Sequence, residues 1–475
     1  MIVSRFYEPA IAQVSYLIGC AATGEALVID PNRDVQRYID EATREGLTIT
    51  HVTETHIHAD FLSGARELAQ RTGARLYLSD EGDADWKYQF ASEGTLLRDG
   101  DRITVGRILV DVVATPGHTP EHITFLITDG AAADRPIAAA TGDFVFVGDV
   151  GRPDLLERAA NIAGTMEKGA HTLWGSLQAF NRNEEWLQIW PGHGAGSACG
   201  KGISAVPYST LGYERRFNWA FRMTDEDAFV EAVLAGQPEP PAYFAMMKRL
   251  NKSGPRILGG FHAPPRLDDT VLARLLAGRA IVVDTRSAGE FAAEHLPGTL
   301  NIPLNRSFVN WAGWFLPYDA DLYFIVDDMT EANSVELVRQ LALIGLDRVA
   351  GVFDAHTVRR AAQRGVAVGT VPQITAEDLG AIPSREATVV DVRNATEWVE
   401  GHIPGALHIP LGHLPARLAE VPADGTVVVQ CLSGARSAIA ASVLRRAGRT
   451  NVVNLVGGFE AWQSAGHPVS AEAGA

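Results

Sequence analysis

Residues 53–64 read TETHIHADFLSG and lie between an apolar run and a helix-like segment. His56, His58 and Asp60 alternate in this stretch, where a predicted strand gives way to a predicted helix. Side chains at positions i and i+2 of an extended segment share one face, so these three can converge on one point. Imidazoles and carboxylates are ligands that transition metals accept. The stretch therefore predicts the edge of a metal site.

A histidine or an aspartate also follows other predicted strands in the first half of the chain. His118 stands in a Pro-Gly-His turn after an apolar run, Asp143 ends another such run, and His193 repeats the Pro-Gly-His pattern. Loops at strand ends are where a sheet gathers a site from distant parts of the sequence. One such residue alone would indicate a surface or hydrogen-bonded side chain, but several in order indicate a shared metal site.

These motifs resemble those of the metallo-β-lactamase superfamily, in that family's order: His56-x-His58-x-Asp60, Pro116-Gly117-His118-Thr119, Thr141-Gly142-Asp143 and Pro191-Gly192-His193-Gly194. The resemblance covers about the first half of the chain. It implies an α/β fold, an αββα sandwich with the metal at one edge of two packed sheets.

Phe61 departs from the pattern of the dinuclear hydrolases of that superfamily, such as glyoxalase II, which have a histidine there. A phenyl ring cannot ligate, so a second metal would lose a donor and we expect a single metal. In this respect the chain resembles the persulfide dioxygenases. That resemblance implies one Fe(2+) per chain, held by His56, His118 and Asp143, the two-histidine, one-carboxylate set of non-haem iron oxygenases. The superfamily match alone leaves zinc open.

The same resemblance places three further residues around the ligands, where they would orient ligands and waters: His58, Asp60 and His193. Arg152 is a candidate for binding an anionic substrate, with a solvated loop arginine as the alternative. Cys199 is a candidate persulfide carrier whose pKa Lys201 would lower. The alternative for Cys199 is a buried structural cysteine.

Composition and charge exclude several classes of function. The 475 residues are 46% hydrophobic and 21% charged, which is typical of a globular protein with more than one domain. A net charge of −16 with scattered basic residues argues against nucleic acid or a membrane as partner. The cysteines form no CxxC pair, and we find no signal peptide or membrane span. We expect a cytoplasmic protein that forms a homo-oligomer.

The C-terminal half contains an internal repeat. A Val-Val-Asp-x-Arg motif at 282–286 recurs at 389–393, and a His-x-Pro-Gly motif recurs at a spacing of 107 residues, from His295 to His402. Each unit alternates strands with helix-like segments, which predicts two α/β domains with parallel sheets. A segment rich in proline and glycine, between about residues 250 and 265, separates them from the first half.

In the second repeat a predicted strand leads through a short loop into an Ala-rich helix; the loop consists of Cys431, Leu432, Ser433, Gly434, Ala435 and Arg436. Successive backbone N–H groups at a helix N-terminus form an anion cradle, and with Arg436 they would stabilise a thiolate. This predicts a nucleophilic Cys431, with a structural cysteine as the alternative. Together with Asp391, His402 and a later Gly-Gly-Phe motif, the loop resembles the rhodanese (sulfurtransferase) family. Its length of six residues is typical of rhodaneses that transfer sulfur.

The first repeat lacks this chemistry. Aligning the two loops places Asp328 opposite Cys431 and Asn333 opposite Arg436, and residues 327–333 contain carboxylates but no nucleophile. Carboxylates repel an anion. We therefore expect a rhodanese-like domain that is catalytically silent and has a packing or docking role.

The sequence thus predicts three domains: a metallo-β-lactamase-like persulfide dioxygenase at 1–250, a silent rhodanese-like domain at 266–370 and an active rhodanese at 371–475. The predicted function is oxidation of a low-molecular-weight persulfide, such as glutathione persulfide, by O2 to sulfite, with formation or use of thiosulfate in sulfide detoxification. One alternative is a zinc-dependent thioester hydrolase of the glyoxalase II type with accessory rhodanese domains. Another is a binding protein without activity, against which the intact Cys431 and Arg436 argue.

Overall fold

A computed structural model of the chain describes residues 1–155, 157, 164–383 and 385–471. The chain forms two compact units, of which the first comprises Met1–Phe261 and Arg339–Gly345. Both repeats of the C-terminal half lie in the second unit, apart from that short segment. The division into three domains with the limits given above stays a prediction.

The first unit is built on two sheets. The first sheet has its strands in sequence order: β1 (Ile2–Glu8), β2 (Gln13–Cys20), β3 (Glu25–Ile29), β4 (Thr48–Thr53), β5 (Arg75–Ser79) and β6 (Thr95–Leu97). The second sheet is ordered β12-β11-β10-β9-β8-β7 and consists of β7 (Arg102–Val105), β8 (Ile108–Ala114), β9 (Ile123–Asp129), β10 (Ala138–Gly142), β11 (Gln188–Pro191) and β12 (Ser209–Thr210).

The helices of the first unit are α1 (Gln36–Arg44), α2 (Ala65–Thr72), α3 (Thr165–Phe180), α4 (Leu211–Phe217), α5 (Glu226–Leu234) and α6 (Phe244–Ser253). Helices α1 and α2 cover the outer face of the first sheet, and α3 and α5 cover that of the second. Within the described ranges of the whole chain, no helix is both long and apolar enough to cross a bilayer.

Strand β2 illustrates why the sheets are layered in this way. It is buried along its whole length, because both of its faces are covered. Since side chains alternate along a strand, Tyr16 and Ile18 lie in the layer between the sheets, whereas Leu17 faces the helices. Phe125 and Val110 of the second sheet complete the layer between the sheets. This arrangement is an αββα sandwich, which confirms the predicted fold class.

The first repeat forms a parallel sheet of order β14-β13-β15-β16. Its elements are α7 (Asp269–Ala277), β13 (Ile281–Asp284), α8 (Ala288–Ala293), β14 (Leu300–Asn301), α9 (Phe308–Phe315), β15 (Leu322–Val326), α10 (Glu331–Ala342), β16 (Val349–Asp354) and α11 (His356–Gln363).

The second repeat forms a parallel sheet of order β17-β21-β20-β18-β19. Its elements are β17 (Gln373–Ile374), α12 (Ala376–Ala381), β18 (Ala387–Asp391), α13 (Ala395–Glu400), β19 (Leu407–His408), β20 (Thr426–Gln430), α14 (Ala435–Arg446), β21 (Val452–Leu455) and α15 (Gly458–Ser464). Counted from β14 and from β19, the first four strands of the two sheets follow the same order, and β17 is an additional edge strand of the second sheet.

A buried ion pair recurs in the two repeats. Arg286 Nη2 lies 2.6 Å from Asp284 Oδ2, and Arg393 Nη2 lies 2.6 Å from Asp391 Oδ2. Each arginine follows its aspartate by two residues at the end of a central strand, β13 or β18. The shared pair and the shared strand order show that the sequence repeat is a structural duplication.

The strand register corrects the alignment of the two loops. In each repeat the central aspartate pairs across the ladder with the last or second-last residue of the next strand: Asp284 with Ile325, and Asp391 with Gln430. The residue that follows each partner is Val326 in the first repeat and Cys431 in the second, so these two occupy equivalent positions. The expected equivalence of Asp328 and Cys431 is wrong, because it aligns the loops on the helix and the first loop is longer.

Candidate functional site

The predicted metal ligands come together where strands of both sheets end. His56 follows β4 of the first sheet, whereas His118 and Asp143 follow β8 and β10 of the second. One donor atom from each residue lies within 4.8 Å of the other two, and all three side chains are buried. The structure therefore contains a potential metal site of two histidines and one aspartate.

Hydrogen bonds around His56 define which of its nitrogens is protonated. The Thr55 hydroxyl donates to Asp30 Oδ2 at 2.9 Å, so its oxygen accepts from His56 Nδ1, 3.0 Å away. Nε2 of His56 then carries no proton. This nitrogen is buried and has no hydrogen-bond partner among the described residues. A neutral imidazole with a free, deprotonated nitrogen is a metal ligand.

His118 is oriented in the same way from a different loop. Its Nδ1 donates to the carbonyl oxygen of Arg152 at 2.9 Å, and its Nε2 lies 3.5 Å from Asp143 Oδ2. Burial lowers the pKa of both His118 and His56 below the ordinary value, so both rings are neutral near pH 7. Neutral imidazoles beside a carboxylate form the donor set that the sequence predicts.

His58 and His193 lie beside the ligands but are paired with carboxylates. His58 Nε2 is 3.1 Å from Asp30 Oδ1, and His193 Nε2 is 3.2 Å from Asp60 Oδ2 and 3.3 Å from Asp143 Oδ1. Burial alone would lower the pKa of His58, but the carboxylates, Asp30 first, raise it to about 9. Burial is likewise outweighed at His193, whose pKa the surrounding groups, Asp143 first, raise well above the ordinary value. An imidazolium cannot ligate, which fits the orienting role predicted for both residues.

A second buried set of donor atoms within 4.8 Å of one another consists of Asp60, His193 and Cys199. Burial and the neighbouring carboxylates raise the pKa of Cys199 to about 12, so the thiol stays protonated. The Lys201 ammonium lies instead over the ring of Trp219, 5.0 Å from its centroid. The expected lowering of the Cys199 pKa by Lys201 is wrong, because burial dominates at this thiol.

Arg152 is fully buried and its guanidinium is engaged. Its Nε and Nη2 donate to the two oxygens of Asp154, each at 2.7 Å, and its Nη1 donates to the carbonyl oxygen of Ala198 at 2.9 Å. All three guanidinium nitrogens of Arg152 thus already donate hydrogen bonds within the protein. This geometry favours a structural role over contact with an anionic substrate.

Two residues outside the predicted set hold the ligand loops. His122 Nε2 accepts from the backbone N–H of Asp143 at 3.2 Å. On α6, the Asn251 amide donates to the carbonyl oxygens of His58 and Phe61, both at 2.8 Å. His122 lies four residues after the predicted ligand His118, and this closeness in the sequence could have marked it as part of the site. Asn251 gives no such signal, because 190 residues separate it from Phe61.

Cys431 lies at the start of the loop between β20 and α14. Its Sγ accepts from the Gly434 N–H at 3.1 Å and lies 3.6 Å from the Ser437 hydroxyl. The thiol is buried, whereas Leu432 and Ser433 are exposed at the mouth of the loop. Donors aimed at a sulfur near a helix N-terminus stabilise negative charge on that sulfur.

Arg436 is held in place by a carboxylate that the sequence analysis missed. Glu397 on α13 accepts from Arg436 Nη1 and Nη2, each at 2.6 Å. The Arg436 guanidinium also interacts electrostatically with Cys431. Glu397 therefore positions the guanidinium beside the sulfur.

Gly458 packs directly against the backbone of the Cys431 loop. The Phe459 N–H donates to the Cys431 carbonyl oxygen at 2.7 Å, and a Cβ on Gly458 would lie only 2.2 Å from that oxygen. Gly458 also has a φ of 58°, in the left-handed region that favours glycine. The later Gly-Gly-Phe motif of the sequence is thus part of the site.

The sandwich with its metal cluster defines the first unit as a metallo-β-lactamase fold, and the cysteine loop belongs to a rhodanese-like fold. The family model of the metallo-beta-lactamase superfamily matches residues 9–193, and that of the rhodanese-like domain matches 375–465. A metallo-beta-lactamase from Staphylococcus aureus subsp. aureus COL is 41% identical with a TM-score of 0.67, and the match covers 74% of this chain and 99% of that one. The chain belongs to the metallo-β-lactamase superfamily and carries a C-terminal rhodanese-like domain.

Curated relatives match the two parts separately. A mitochondrial persulfide dioxygenase from Bos taurus is 29% identical over 34% of this chain and 59% of its own length. A sulfurtransferase from Allochromatium vinosum is 41% identical over 19% of this chain and 85% of its own length. Relatives named as hydrolases match the first half at 29% to 32% identity. The chain spans 54% to 60% of the length of the relatives that match its first half.

The hydroxyl of Thr55 should control metal affinity. We expect Thr55→Val to weaken metal binding about 10- to 100-fold, because His56 loses the acceptor that fixes its tautomer. Thr53→Val is the matched control, since the one partner of this buried hydroxyl among the described residues is the Tyr77 carbonyl oxygen, 3.2 Å away. Competition with a chromogenic chelator measures both affinities. Equal affinities in the two variants would contradict the role of Thr55.

Gly458→Ala should displace the Cys431 loop. The left-handed backbone alone costs about 1–2 kcal/mol for alanine, and the contact with the Cys431 carbonyl oxygen adds to it. Gly466→Ala is the control, because its φ is 75° and no atom lies within 4 Å of a Cβ there. We expect a larger loss of thermal stability and faster alkylation of Cys431 in Gly458→Ala. The same stability and alkylation rate in both variants would show that the loop does not rest on Gly458.

Proposed function

We propose that the chain is an iron-dependent persulfide dioxygenase coupled to a sulfurtransferase, acting in sulfide detoxification. The observation that carries this proposal is the buried cluster of His56, His118 and Asp143, with Phe61 at the position of a further ligand. The persulfide dioxygenase and the sulfurtransferase among the relatives support it. The cytoplasmic location and the homo-oligomeric state remain predictions.

The donor set favours a single Fe(II). Two neutral imidazoles and one carboxylate form the facial set of non-haem iron sites. Phe61 is fully buried, with its ring centroid 4.3 Å from that of His58, and it offers no donor atom. The paired imidazolium groups of His58 and His193 offer none either. Iron bound by the three ligands would supply open coordination positions for O2 and the persulfide sulfur.

The reaction balances without a separate reductant. R–S–SH, O2 and water give R–SH, sulfite and two protons, and the sulfane sulfur supplies all four electrons that O2 takes up. The positively charged His193 ring lies 3.3 Å from Asp143 Oδ1 and would keep the ligand carboxylate oriented by charge. The apolar ring of Phe61 limits water beside the ligands.

In the second repeat, Cys431 would carry sulfane sulfur. The Cys431 thiolate would attack the outer sulfur of R–S–SH. The S–S bond of R–S–SH then breaks, which gives R–SH and a Cys431 persulfide anion. Sulfite removes the outer sulfur of this persulfide as thiosulfate, and the electron pair returns to Cys431. The Gly434 N–H and Arg436 stabilise negative charge on the cysteine sulfur in both steps. The reverse direction, from thiosulfate, is chemically equivalent.

A zinc-dependent thioester hydrolase of the glyoxalase II type with accessory rhodanese domains is the second candidate. The observation that favours it is the similarity of the first half to relatives named as hydrolases. This function requires a second metal ion. Asp60, His193 and Cys199 could hold it only after His193 and Cys199 lose their protons.

Oxygen consumption separates the two candidates. Iron-loaded protein with glutathione persulfide should consume O2, and His118→Ala should reduce this uptake to background because the ligand set is incomplete. Cys431→Ser serves as the control that keeps uptake. Elemental analysis should find one iron per chain. Two zinc ions per chain and no O2 uptake would refute the dioxygenase.

Thiosulfate formation tests the role of Cys431. With persulfide and sulfite supplied under argon, Cys431→Ser should abolish thiosulfate formation, because a serine oxygen cannot hold the transferred sulfur. Cys20→Ser is the matched control and should retain it. Ion chromatography quantifies the product. If Cys431→Ser forms thiosulfate at the wild-type rate, another residue transfers the sulfur.

A further inference from the structure

A cavity of about 610 Å³ lies between the two repeats of the second unit. Helix α14 of the second repeat contributes Ala435, Arg436 and Ile439 to its lining. The first repeat contributes the remainder, from the segment between β13 and α8, the N-terminus of α8, the loop before α9, α9 itself and the loop after β15. The repeat without a nucleophile thus forms most of a cavity next to the Cys431 loop of the other repeat.

Two contacts connect this cavity to Cys431. Arg436 lines it and interacts electrostatically with the cysteine. Ala288, the first residue of α8, lines both this cavity and a smaller one of about 80 Å³. Gly434, whose N–H donates to Cys431 Sγ, lines the smaller cavity. A molecule in the large cavity would therefore lie beside the sulfur-transferring loop.

The volume indicates an organic ligand. Pockets for small molecules typically measure about 300–1,000 Å³, and this cavity falls within that range. Sulfite and thiosulfate have only four and five heavy atoms, so they would leave most of the space empty. The larger part of a persulfide is its carrier thiol, which is the component that needs such a volume.

The lining indicates which class of carrier fits. Trp311 and Ile439 provide apolar surface, and Asn305 and Asn310 provide amide groups that pair with amides of a ligand. The charged groups among the described lining residues are one carboxylate, Asp327, and the Arg436 guanidinium, which is paired with Glu397. A carrier with several phosphates would bring uncompensated negative charge next to Asp327, whereas an ammonium group would pair with it.

We propose that this cavity binds the carrier part of a peptide-like low-molecular-weight thiol, one with amide bonds and an ammonium group. The proposal rests on the sulfur transfer assigned above to Cys431 and names its substrate class. In that step the S–S bond of the persulfide breaks and a new S–S bond forms at Cys431. The electron pair leaves with the carrier sulfur, which takes up the proton of the transferred –SH group, and the carrier remains in the cavity as R–SH. The silent repeat is then the carrier-binding half of the site.

Ala288→Trp tests the proposal by filling the cavity. In sulfur transfer from glutathione persulfide to sulfite, we expect its KM for glutathione persulfide to rise about tenfold, equivalent to about 1.4 kcal/mol. The KM for thiosulfate, measured with cyanide as acceptor, should rise far less, because thiosulfate does not need the cavity. Ala293→Trp, exposed at the other end of α8, is the matched control with wild-type constants. Coenzyme A persulfide, which carries phosphates, should bind wild-type protein more weakly than glutathione persulfide.

Asn310→Ala provides a milder second variant and should also raise the KM for glutathione persulfide selectively. Equal effects on both donors, or no effect of either variant on the organic donor, would overturn the proposal. Binding of glutathione itself to Cys431→Ser protein, measured by calorimetry, is independent of turnover: Ala288→Trp should weaken it. If wild-type protein transfers no sulfur at all, the proposed function of Cys431 fails, and the calorimetry still decides whether the cavity binds the carrier.

Discussion

The potential metal site depends on one carboxylate, that of Asp30 at the end of β3. It accepts hydrogen bonds from the Thr55 backbone N–H at 2.7 Å and from the Thr55 hydroxyl, and it pairs with His58. Asp30 has a φ of 51°, a left-handed conformation that costs a residue other than glycine about 1–2 kcal/mol. A buried carboxylate without hydrogen-bond partners would cost more free energy than this strained conformation, so the hydrogen bonds of Asp30 outweigh the strain. Through Thr55, the same carboxylate determines the tautomer of His56, and through charge it keeps His58 protonated. Asp30 thus helps to give two histidines that are two positions apart different protonation states.

Sequence patterns were informative where chemistry and secondary structure coincide, and uninformative where a side chain acts through a distant partner. His56, His118 and Asp143 follow strands and stand in motifs, so their convergence was predictable. Asp30, Asn251 and Glu397 lie in no motif. Each hydrogen-bonds a residue far away in the sequence, and only the folded chain brings the two partners together. Arg152 and Cys199 lie in promising segments, but the sequence does not report burial. Burial is what engages the Arg152 guanidinium with Asp154 and raises the pKa of the Cys199 thiol.

The two repeats separate what the fold requires from what the chemistry requires. Both keep the aspartate–arginine ion pair beside the central strand, because an unpaired buried charge would destabilise either copy. Only the second keeps a cysteine at the strand end, where the first has Val326. Val326 is buried like Cys431, so the first repeat keeps an apolar side chain that packs at this position although it has no reactive sulfur. Among the described residues of the first repeat, the pairing of Glu397 with Arg436 has no counterpart, and Glu290 bonds Ser287 at the N-terminus of its own helix. The first repeat therefore has the shape of the second without its cysteine chemistry.

The two proposed reactions are linked by their stoichiometry. Oxidation of one persulfide yields one sulfite, and that sulfite accepts the sulfane sulfur of a second persulfide as thiosulfate. The sum is two R–SSH, one O2 and one water converted to two R–SH, one thiosulfate and two protons. The product of the first site is thus the acceptor for the second, and both sites release the carrier thiol unchanged.

Because a persulfide must enter each site, recognition of the carrier matters as much as reactivity of the sulfur. A reactive metal or thiolate selects for sulfur, but only a cavity with defined polar groups can select among the thiols that carry it. In this chain the repeat without a nucleophile lines most of such a cavity.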